Sequence, residues 1–342
     1  MKRNIYYAEK LLQYIFRILS VIYDLIFVNK KNNLCLCDFG RYIQTNKISN
    51  GIKNYISCPA SLTISFYFIK GNIEIKILYK KRYILKHMSN VATSGLDVYI
   101  YKNNNYKWIT CIAPNNNYEM FTQEIIKIKE EGLVYIFLPP FAEIEKIYLE
   151  AENNYIQILE NSNADIVVYG SSITQGCAAS RPGLSYVNQL KLYLNKNVLN
   201  FGFSESAKGE EEILKYIASI KATVYILEFD HNATVELLRE RHLECYKTIR
   251  YNNVNSLIIF ISRFSGGISI SEEEEKEREK IINNTYNYAL NNNDKNVEFI
   301  NGRYISKKLK NSFFVDDRHP NDIGMYIIAK KIYNVIKRRK VF

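Results

Sequence analysis

Hydrophobic and polar residues alternate with a period of two through much of the first half of the chain. Residues 73–77 read Ile-Glu-Ile-Lys-Ile, as expected of a strand with one buried face. Asn103-Asn104-Asn105 lies between two short apolar runs at 97–101 and 106–109, which predicts a hairpin. Further strands are predicted at 63–69, 124–128, 133–138 and 144–149. Short strands at regular spacing are typical of a β-sandwich or jelly roll.

Near residue 161 the pattern changes to apolar runs that alternate with amphipathic segments. Residues 165–169 form an apolar run suited to a strand buried on both faces, and apolar residues then recur at helical spacing up to Leu194. The same alternation predicts strands at 197–201, 222–229, 256–262 and 297–300, with helices at 210–220, 233–250 and 271–290. Alternating strands and helices predict an open parallel α/β sheet, in which ligands bind at the carboxyl ends of the strands.

Helix starts are signalled at two places, and a third segment is predicted to be helical. Ser271 and Glu274 form a capping box at the start of a charged helix, whose run 272–280 is interpreted as a solvated face. Pro320 is predicted at the start of the last helix. Residues 11–28 are mostly apolar, but charged residues interrupt them and no small-residue cleavage site follows. They are interpreted as an amphipathic helix rather than a signal peptide or a membrane span.

Composition is that of an ordinary globular protein, which excludes a disordered or collagen-like chain. The 342 residues carry 46 Lys+Arg against 35 Asp+Glu, a formal net charge of +11. Many of the excess cations lie near the two chain ends and form no basic stripe with interleaved aromatics, so a nucleic-acid partner is not predicted. The six cysteines are scattered and show no zinc-site spacing. Reduced thiols and a cytoplasmic location are therefore expected.

Two polar segments have the residue types of a nucleophile and its base. Gly170-Ser171-Ser172 directly follows the first strand of the predicted parallel sheet, where a turn can present a serine hydroxyl as a nucleophile. A polar N-cap turn fits the same residues. Asp316-x-x-His319 offers a base near neutral pH and a carboxylate to orient it, although an exposed loop histidine would show the same pattern.

Other polar residues follow the neighbouring strands. Asn232 could donate to an oxyanion or cap a helix. Arg181, His231 and Arg263 are possible substrate contacts, and for the two arginines a structural ion pair fits equally well. His242, inside the following helix, is interpreted as structural.

Four of these segments, in this order, resemble the blocks of the SGNH hydrolases, also called GDSL-type esterases. The resemblance covers residues 165–339, with 200–207 as the second block. It implies a flavodoxin-like three-layer α/β domain that needs no metal or cofactor. It also implies that Ser172 is the nucleophile, His319 the base and Asp316 the residue that orients it. The backbone N–H groups of Ser172 and Glu205 and the Asn232 side chain would form the oxyanion hole.

The front half resembles the domain that precedes the hydrolase in one bacterial subgroup. That domain is a β-sandwich marked by a Gly-x-Asp-Leu-Tyr motif, which is similar to Gly95-Leu96-Asp97-Val98-Tyr99 here. The expected organisation is therefore an N-terminal helical segment at 1–30, a β-sandwich or jelly-roll domain at 31–155 and the hydrolase domain at 156–342.

The resemblance implies a serine esterase acting on a small acyl ester, for which an O-acetylated sugar is one candidate. One departure is the Glu at position 205, where the family usually has Gly, because a carboxylate there would repel an anionic intermediate. The alternative is a glycan-binding protein with a weak or inactive hydrolase domain. The acyl group, the alcohol and the oligomeric state are left open.

Overall fold

The computed structural model describes residues 33–41, 43, 48–151, 156–158, 164–265, 270–309 and 312–342, and the helix predicted for residues 1–30 lies outside them. Strands dominate the described front half: β1 (Asn33–Leu36), β2 (Thr63–Phe68), β3 (Gly71–Arg82), β4 (Leu96–Lys102), β5 (Asn105–Ile112), β6 (Phe121–Ile128), β7 (Gly132–Phe137), β8 (Ala142–Ala151) and β9 (Gln157–Ile158). Two short helices accompany them, α1 (Asn50–Ile56) and α2 (Asn90–Ser94).

The front strands form two antiparallel sheets around one apolar core. Their orders are β1-β8-β3-β6 and β5-β4-β7-β2-β9. Ile75 and Ile77 of the first sheet belong to the same buried cluster as Phe66 and Ile136 of the second, so the two sheets face each other. The predicted strands of the front half are thus confirmed, whereas jelly-roll connectivity stays a prediction.

The predicted hairpin is present between β4 and β5. Asn103 and Asn104 have φ angles of 51° and 59°, and Lys102 pairs with Asn105 across the turn. Two successive left-handed residues are what a two-residue type I′ turn requires, and Asn tolerates that conformation better than most residues.

The rest of the described chain alternates strand and helix. Its elements are β10 (Ile166–Gly170), α3 (Ser172–Gln175), α4 (Tyr186–Leu194), β11 (Val198–Gly202), α5 (Glu211–Ser219), β12 (Val224–Glu228), α6 (Val235–Asn252), β13 (Leu257–Ile261), α7 (Glu272–Asn291), β14 (Val297–Ile300), α8 (Gly302–Leu309) and α9 (Asp322–Arg338). The strands are parallel in the order β11-β10-β12-β13-β14, which is the 2-1-3-4-5 order of flavodoxin-like sheets.

Both faces of the parallel sheet are covered by helices. Tyr169 of β10 lies in one buried cluster with residues of α5, α6 and α7, while its neighbour Val168 lies in another with residues of α4 and α9. Successive side chains of a strand point to opposite faces, so the apolar run of β10 contributes to both clusters. The prediction of an α/β domain with three layers is confirmed.

The helix-start predictions had mixed success. The Ser271 hydroxyl accepts a hydrogen bond from the Glu274 N–H at 3.2 Å, which confirms that cap. The last helix begins at Asp322, two residues after the start predicted at Pro320. Asn321 is the N-cap, because its side chain accepts from the N–H groups of Ile323 and Gly324, and the helix begins one residue later. Pro320 instead forms an isolated bridge with Phe314.

The described helices and the cysteines can be compared with the sequence predictions for membrane spans and thiols. Within the described ranges, no helix combines the length and apolarity needed to cross a bilayer. All six cysteines are free thiols, as the sequence predicts.

Candidate active site

The turn after β10 places a serine at the carboxyl edge of the parallel sheet. Ser171 caps α3 by accepting from the Ile173 N–H at 3.2 Å, and Ser172 is the first residue of that helix. A Cβ on Gly170 would lie 2.2 Å from the Thr174 hydroxyl oxygen, so this close approach requires glycine. Ser171 is therefore the N-cap, and the adjacent Ser172 is the candidate nucleophile.

Ser172, His319 and Asp316 form a continuous hydrogen-bonded chain. The Ser172 Oγ lies 2.9 Å from His319 Nε2, and His319 Nδ1 lies 2.7 Å from Asp316 Oδ2. Since a carboxylate only accepts, Nδ1 donates to Asp316 and Nε2 is left to accept from the serine hydroxyl. The loop is held by the Val315 N–H, which donates to the His319 carbonyl at 2.9 Å.

The electrostatics favour an ionised Asp316 and a neutral His319. Burial raises the pKa of Asp316, but hydrogen bonds from the His319 ring and from the N–H groups of Arg318 and His319 outweigh it and lower that pKa to about 2. Burial lowers the pKa of His319 below its usual value, and Asp316 opposes this only in part. The imidazole can therefore act as a base at neutral pH.

Asn232 and Glu205 lie on the turns that follow β12 and β11. The Asn232 side chain donates to the Phe203 carbonyl at 3.0 Å, which links the two turns. An amide nitrogen carries two N–H groups, so one remains for a ligand. Asn232 is not the cap of α6, because Thr234 takes that position and accepts from the Leu237 N–H.

Glu205 is exposed and has a φ of 57°. The backbone here is left-handed, which favours the glycine that the family usually has at this position. The Glu backbone adopts the same conformation and retains its N–H.

Arg278 holds the turn that carries Asn232. Its guanidinium donates to Asp230 Oδ1 at 3.0 Å and to the carbonyls of Asp230 and Ala233 at 3.1 and 2.9 Å. Arg278 is buried, so the interpretation of residues 272–280 as a solvated face is wrong at this position and at Glu275. Helical periodicity turns one side of even a highly charged helix toward the sheet.

A second buried carboxyl group, that of Glu228, supports the turn after β10. Glu228, the last residue of β12, accepts hydrogen bonds from the Ser171 hydroxyl at 2.8 Å and the Thr174 hydroxyl at 2.7 Å. Burial raises the pKa of Glu228 to about 7, against the hydrogen bonds that lower it. The sequence analysis did not single out Glu228, although an acidic residue ending an apolar strand is a usable signal.

His231 and Arg263 lie on two neighbouring turns that are joined by hydrogen bonds. The Phe264 N–H donates to His231 Nε2 at 3.1 Å, and the Arg263 N–H donates to Asp230 Oδ2 at 2.7 Å. Burial, followed by the charge of Arg263, lowers the pKa of His231 well below its usual value, so this ring is neutral. A substrate contact by either residue stays a prediction.

Arg181 joins the two domains. Its guanidinium contacts Asp97 Oδ2 at 2.5 Å and the Tyr99 hydroxyl at 2.6 Å, and the same carboxylate accepts from the Gly183 N–H at 2.8 Å. A Cβ on Gly183 would lie 2.5 Å from that oxygen. Of the two alternatives for Arg181, the structure thus favours the ion pair, with the Gly-x-Asp-x-Tyr motif of the front domain as its partner.

The front domain also reaches His319, the histidine predicted to be the base. His87, which follows β3, stacks on His319 with ring centroids 5.0 Å apart and planes 8° apart. Its Nε2 lies 3.1 Å from the Sγ of Cys177, just after α3. His87 was not predicted as a site residue, because nothing near it in the chain points to a partner more than 200 residues away.

Two family models match the chain in succession. Residues 163–337, more than half of the chain, match the GDSL-like lipase/acylhydrolase family. Residues 42–156 match the GxDLY family, described as the N-terminus of SGNH-hydrolase-type esterases. The resemblance predicted from the sequence blocks and from the 95–99 motif is confirmed. No curated protein matches the chain with significance.

Solved structures share the architecture over most of the chain. A putative GDSL-like lipase from Bacteroides ovatus is 27% identical with a TM-score of 0.78, covering 88% of this chain and 91% of that one. A salicylyl-acyltransferase from a tetracycline biosynthetic pathway is 11% identical with a TM-score of 0.73, covering 92% and 99%. An acetyl xylan esterase from Butyrivibrio proteoclasticus is 11% identical with a TM-score of 0.52, covering 90% and 96%.

Proposed function

The chain belongs to the GDSL-like lipase/acylhydrolase family and is a hydrolase, and we propose that it cleaves small acyl esters with Ser172 as the nucleophile. The observation that carries this proposal is the hydrogen-bonded chain from the Ser172 Oγ through His319 to Asp316, at 2.9 and 2.7 Å. This geometry has the order and the spacing that a serine nucleophile, a histidine base and an orienting carboxylate require.

In the proposed reaction, His319 Nε2 takes the Ser172 proton as Oγ attacks the ester carbonyl. Asp316 holds the ring through Nδ1 and stabilises the imidazolium that forms. The proton then passes to the leaving alcohol, and an acyl-serine remains. Water, deprotonated by His319, attacks this ester. His319 then returns the proton to the Ser172 Oγ as the acid leaves, which regenerates Ser172.

The oxyanion is proposed to be bound by the N–H groups of Ser172 and Glu205 and by the Asn232 side chain. As the first residue of α3, Ser172 has an N–H with no acceptor inside its own helix. The hydrogen bond from Asn232 to the Phe203 carbonyl fixes the orientation of the amide before substrate arrives. Donors that are oriented in advance stabilise developing charge at no cost of reorganisation.

The proposed substrate is an acetyl ester of a carbohydrate. The shared fold with an acetyl xylan esterase and with a carbohydrate esterase from Clostridium thermocellum supports it by analogy. The rate of acid release from acetylated xylan (acetate) and from a long-chain acyl ester (fatty acid) should be compared, and we expect the acetylated sugar to be preferred. Preference for the long chain would contradict this part of the proposal.

The central test is hydrolysis of p-nitrophenyl acetate by Ser172→Ala. We expect the rate constant kcat to fall by about 10⁴-fold or more, because the nucleophile is lost while the fold remains. Ser219→Ala, at the exposed end of α5, is the matched control and should retain full activity. Equal activity of Ser172→Ala and wild type would overturn the proposal.

The alternative of a glycan-binding protein with a weak hydrolase is favoured by one observation, the exposed Glu205 carboxylate on the second oxyanion turn. If wild type binds acetylated glycans but turns over none of several acyl esters, this alternative replaces the esterase.

A further inference from the structure

Three side chains with metal-ligating atoms converge beside the proposed nucleophile. His87 comes from the front domain, Cys177 follows α3 and His319 precedes α9. One ligand atom of each lies within 4.8 Å of the others, and His87 Nε2 is 3.1 Å from Cys177 Sγ. With Zn–N near 2.0 Å and Zn–S near 2.3 Å, tetrahedral coordination holds N and S roughly 3.5 Å apart. Shifts of a few tenths of an ångström would bring this N···S separation to that value.

The donor set is soft. Two imidazole nitrogens and one sulfur suit Zn²⁺ and similar cations, whereas Mg²⁺ and Ca²⁺ prefer oxygen ligands. The thioether of Met88 lies 3.8 Å from Cys177 Sγ and adds a further soft group to the same wall. His87 and His319 are only partly buried, so an ion can approach from their side of the cluster.

The surroundings of His319 also suit a metal ligand. Histidine ligands commonly donate their second N–H to a carboxylate, which orients the ring and strengthens the bond to the metal. The Asp316 carboxylate accepts from His319 Nδ1 at 2.7 Å and leaves the Nε2 lone pair available. The same lone pair faces the Ser172 Oγ at 2.9 Å.

We propose that Zn²⁺, or another cation of similar softness, binds to His87, Cys177 and His319. The Cys177 thiol releases its proton to solvent as the thiolate–metal bond forms, and no oxidation state changes. Because one lone pair cannot both hold the metal and accept the Ser172 proton, the bound ion reversibly stops hydrolysis. The inhibition rests on the proposed function, whereas the binding does not.

Binding is tested with Co²⁺ alone, added to the full chain, by thiolate-to-cobalt absorption in the near ultraviolet. We expect one Co²⁺ per chain, displaced by Zn²⁺, and loss of the thiolate band in Cys177→Ala. Cys245→Ala removes a buried thiol outside the cluster and should keep the band. Absence of a band in wild type, or a band that survives Cys177→Ala, would overturn the proposed site.

A second variant tests the histidine from the front domain. His87→Phe keeps an aromatic ring and removes the ligand. We expect the Co²⁺ dissociation constant to rise at least about 10-fold, because loss of a group that only orients a metal ligand already costs about that much in affinity. Unchanged affinity would exclude His87 as a ligand and overturn the three-residue site.

The inhibitory effect has its own readout. Zn²⁺ at concentrations that saturate the site should abolish ester hydrolysis, and a chelator should restore it. His87→Phe should need at least about 10-fold more Zn²⁺ for half-inhibition, relative to its own uninhibited rate. Full wild-type activity with the site saturated would overturn the inhibition. Ser172→Ala should still bind Co²⁺, so failure of the esterase proposal and failure of the metal site give different results.

Discussion

The two antiparallel sheets and the parallel sheet both bury apolar cores, but they use buried polar residues differently. In the parallel-sheet domain, Ser171, Thr174 and Glu228 are buried together at the carboxyl end of the sheet, next to Ser172. In the front domain, the fully buried Asp97 accepts hydrogen bonds from Trp108 of its own sheet and from Arg181 of the parallel-sheet domain. The difference supports the proposal that the parallel-sheet domain carries the chemistry, with the front domain held against it.

Among the substitutions that test this difference between the domains, Asp97→Ala should have the largest effect. It removes the carboxylate that pairs with Arg181 and should lower the stability of the fold. Breaking a buried, hydrogen-bonded ion pair costs about 3–5 kcal/mol in the free energy of unfolding. Urea denaturation should show this loss, while kcat at low temperature stays within a few-fold of wild type. The control is Glu145→Ala, an exposed carboxylate on β8. If stability is unchanged, Asp97 does not anchor the two domains.

The next-largest effect is expected at the carboxyl edge of the parallel sheet, where loss of the Asn232 amide should slow the reaction. Asn232→Ala should lower kcat by about 10²–10³-fold with little change in KM, because an oxyanion donor acts chiefly in the transition state. Steady-state kinetics on p-nitrophenyl acetate measure this. Asn252→Ala, at the exposed end of α6, is the control and should behave as wild type. A rise in KM without a fall in kcat would indicate ground-state binding instead.

The smallest effect is expected at Glu205, whose φ is 57°. Glu205→Gly relieves roughly 1–2 kcal/mol of left-handed strain and loses part of this gain through a more flexible unfolded chain, so a net stabilisation of about 1 kcal/mol is expected. Thermal unfolding measures it. Glu240→Gly, inside α6, should instead destabilise by about 1 kcal/mol. Destabilisation of both variants would show that Glu205 is not strained.

Local patterns in the sequence predicted most of the described elements, because they report the face of a strand or helix that is buried. The alternation around Ile75, the hairpin at Asn103 and Asn104 and the cap at Ser271 were all found this way. Pro320 was misplaced because Asn321 competes as a cap, and that outcome depends on hydrogen bonds that the proline signal does not show.

Contacts between distant parts of the chain could not be read from such patterns. The sequence around Arg181 is equally compatible with a substrate contact and with an ion pair, because its partner Asp97 lies 84 residues away in the chain. His87 gave no signal, because its partners Cys177 and His319 lie in the other domain. Ser172, Asp316 and His319 were assigned from motif order, and their hydrogen-bond distances required the structure.

The most direct test of the central claim, that Ser172 is a nucleophile activated by His319, is labelling with a fluorophosphonate followed by peptide mass mapping. We predict one adduct per chain, on the peptide that contains Ser172, and strongly slowed labelling in His319→Ala. Labelling at another residue, or labelling of Ser172 that is as fast without His319, would contradict it.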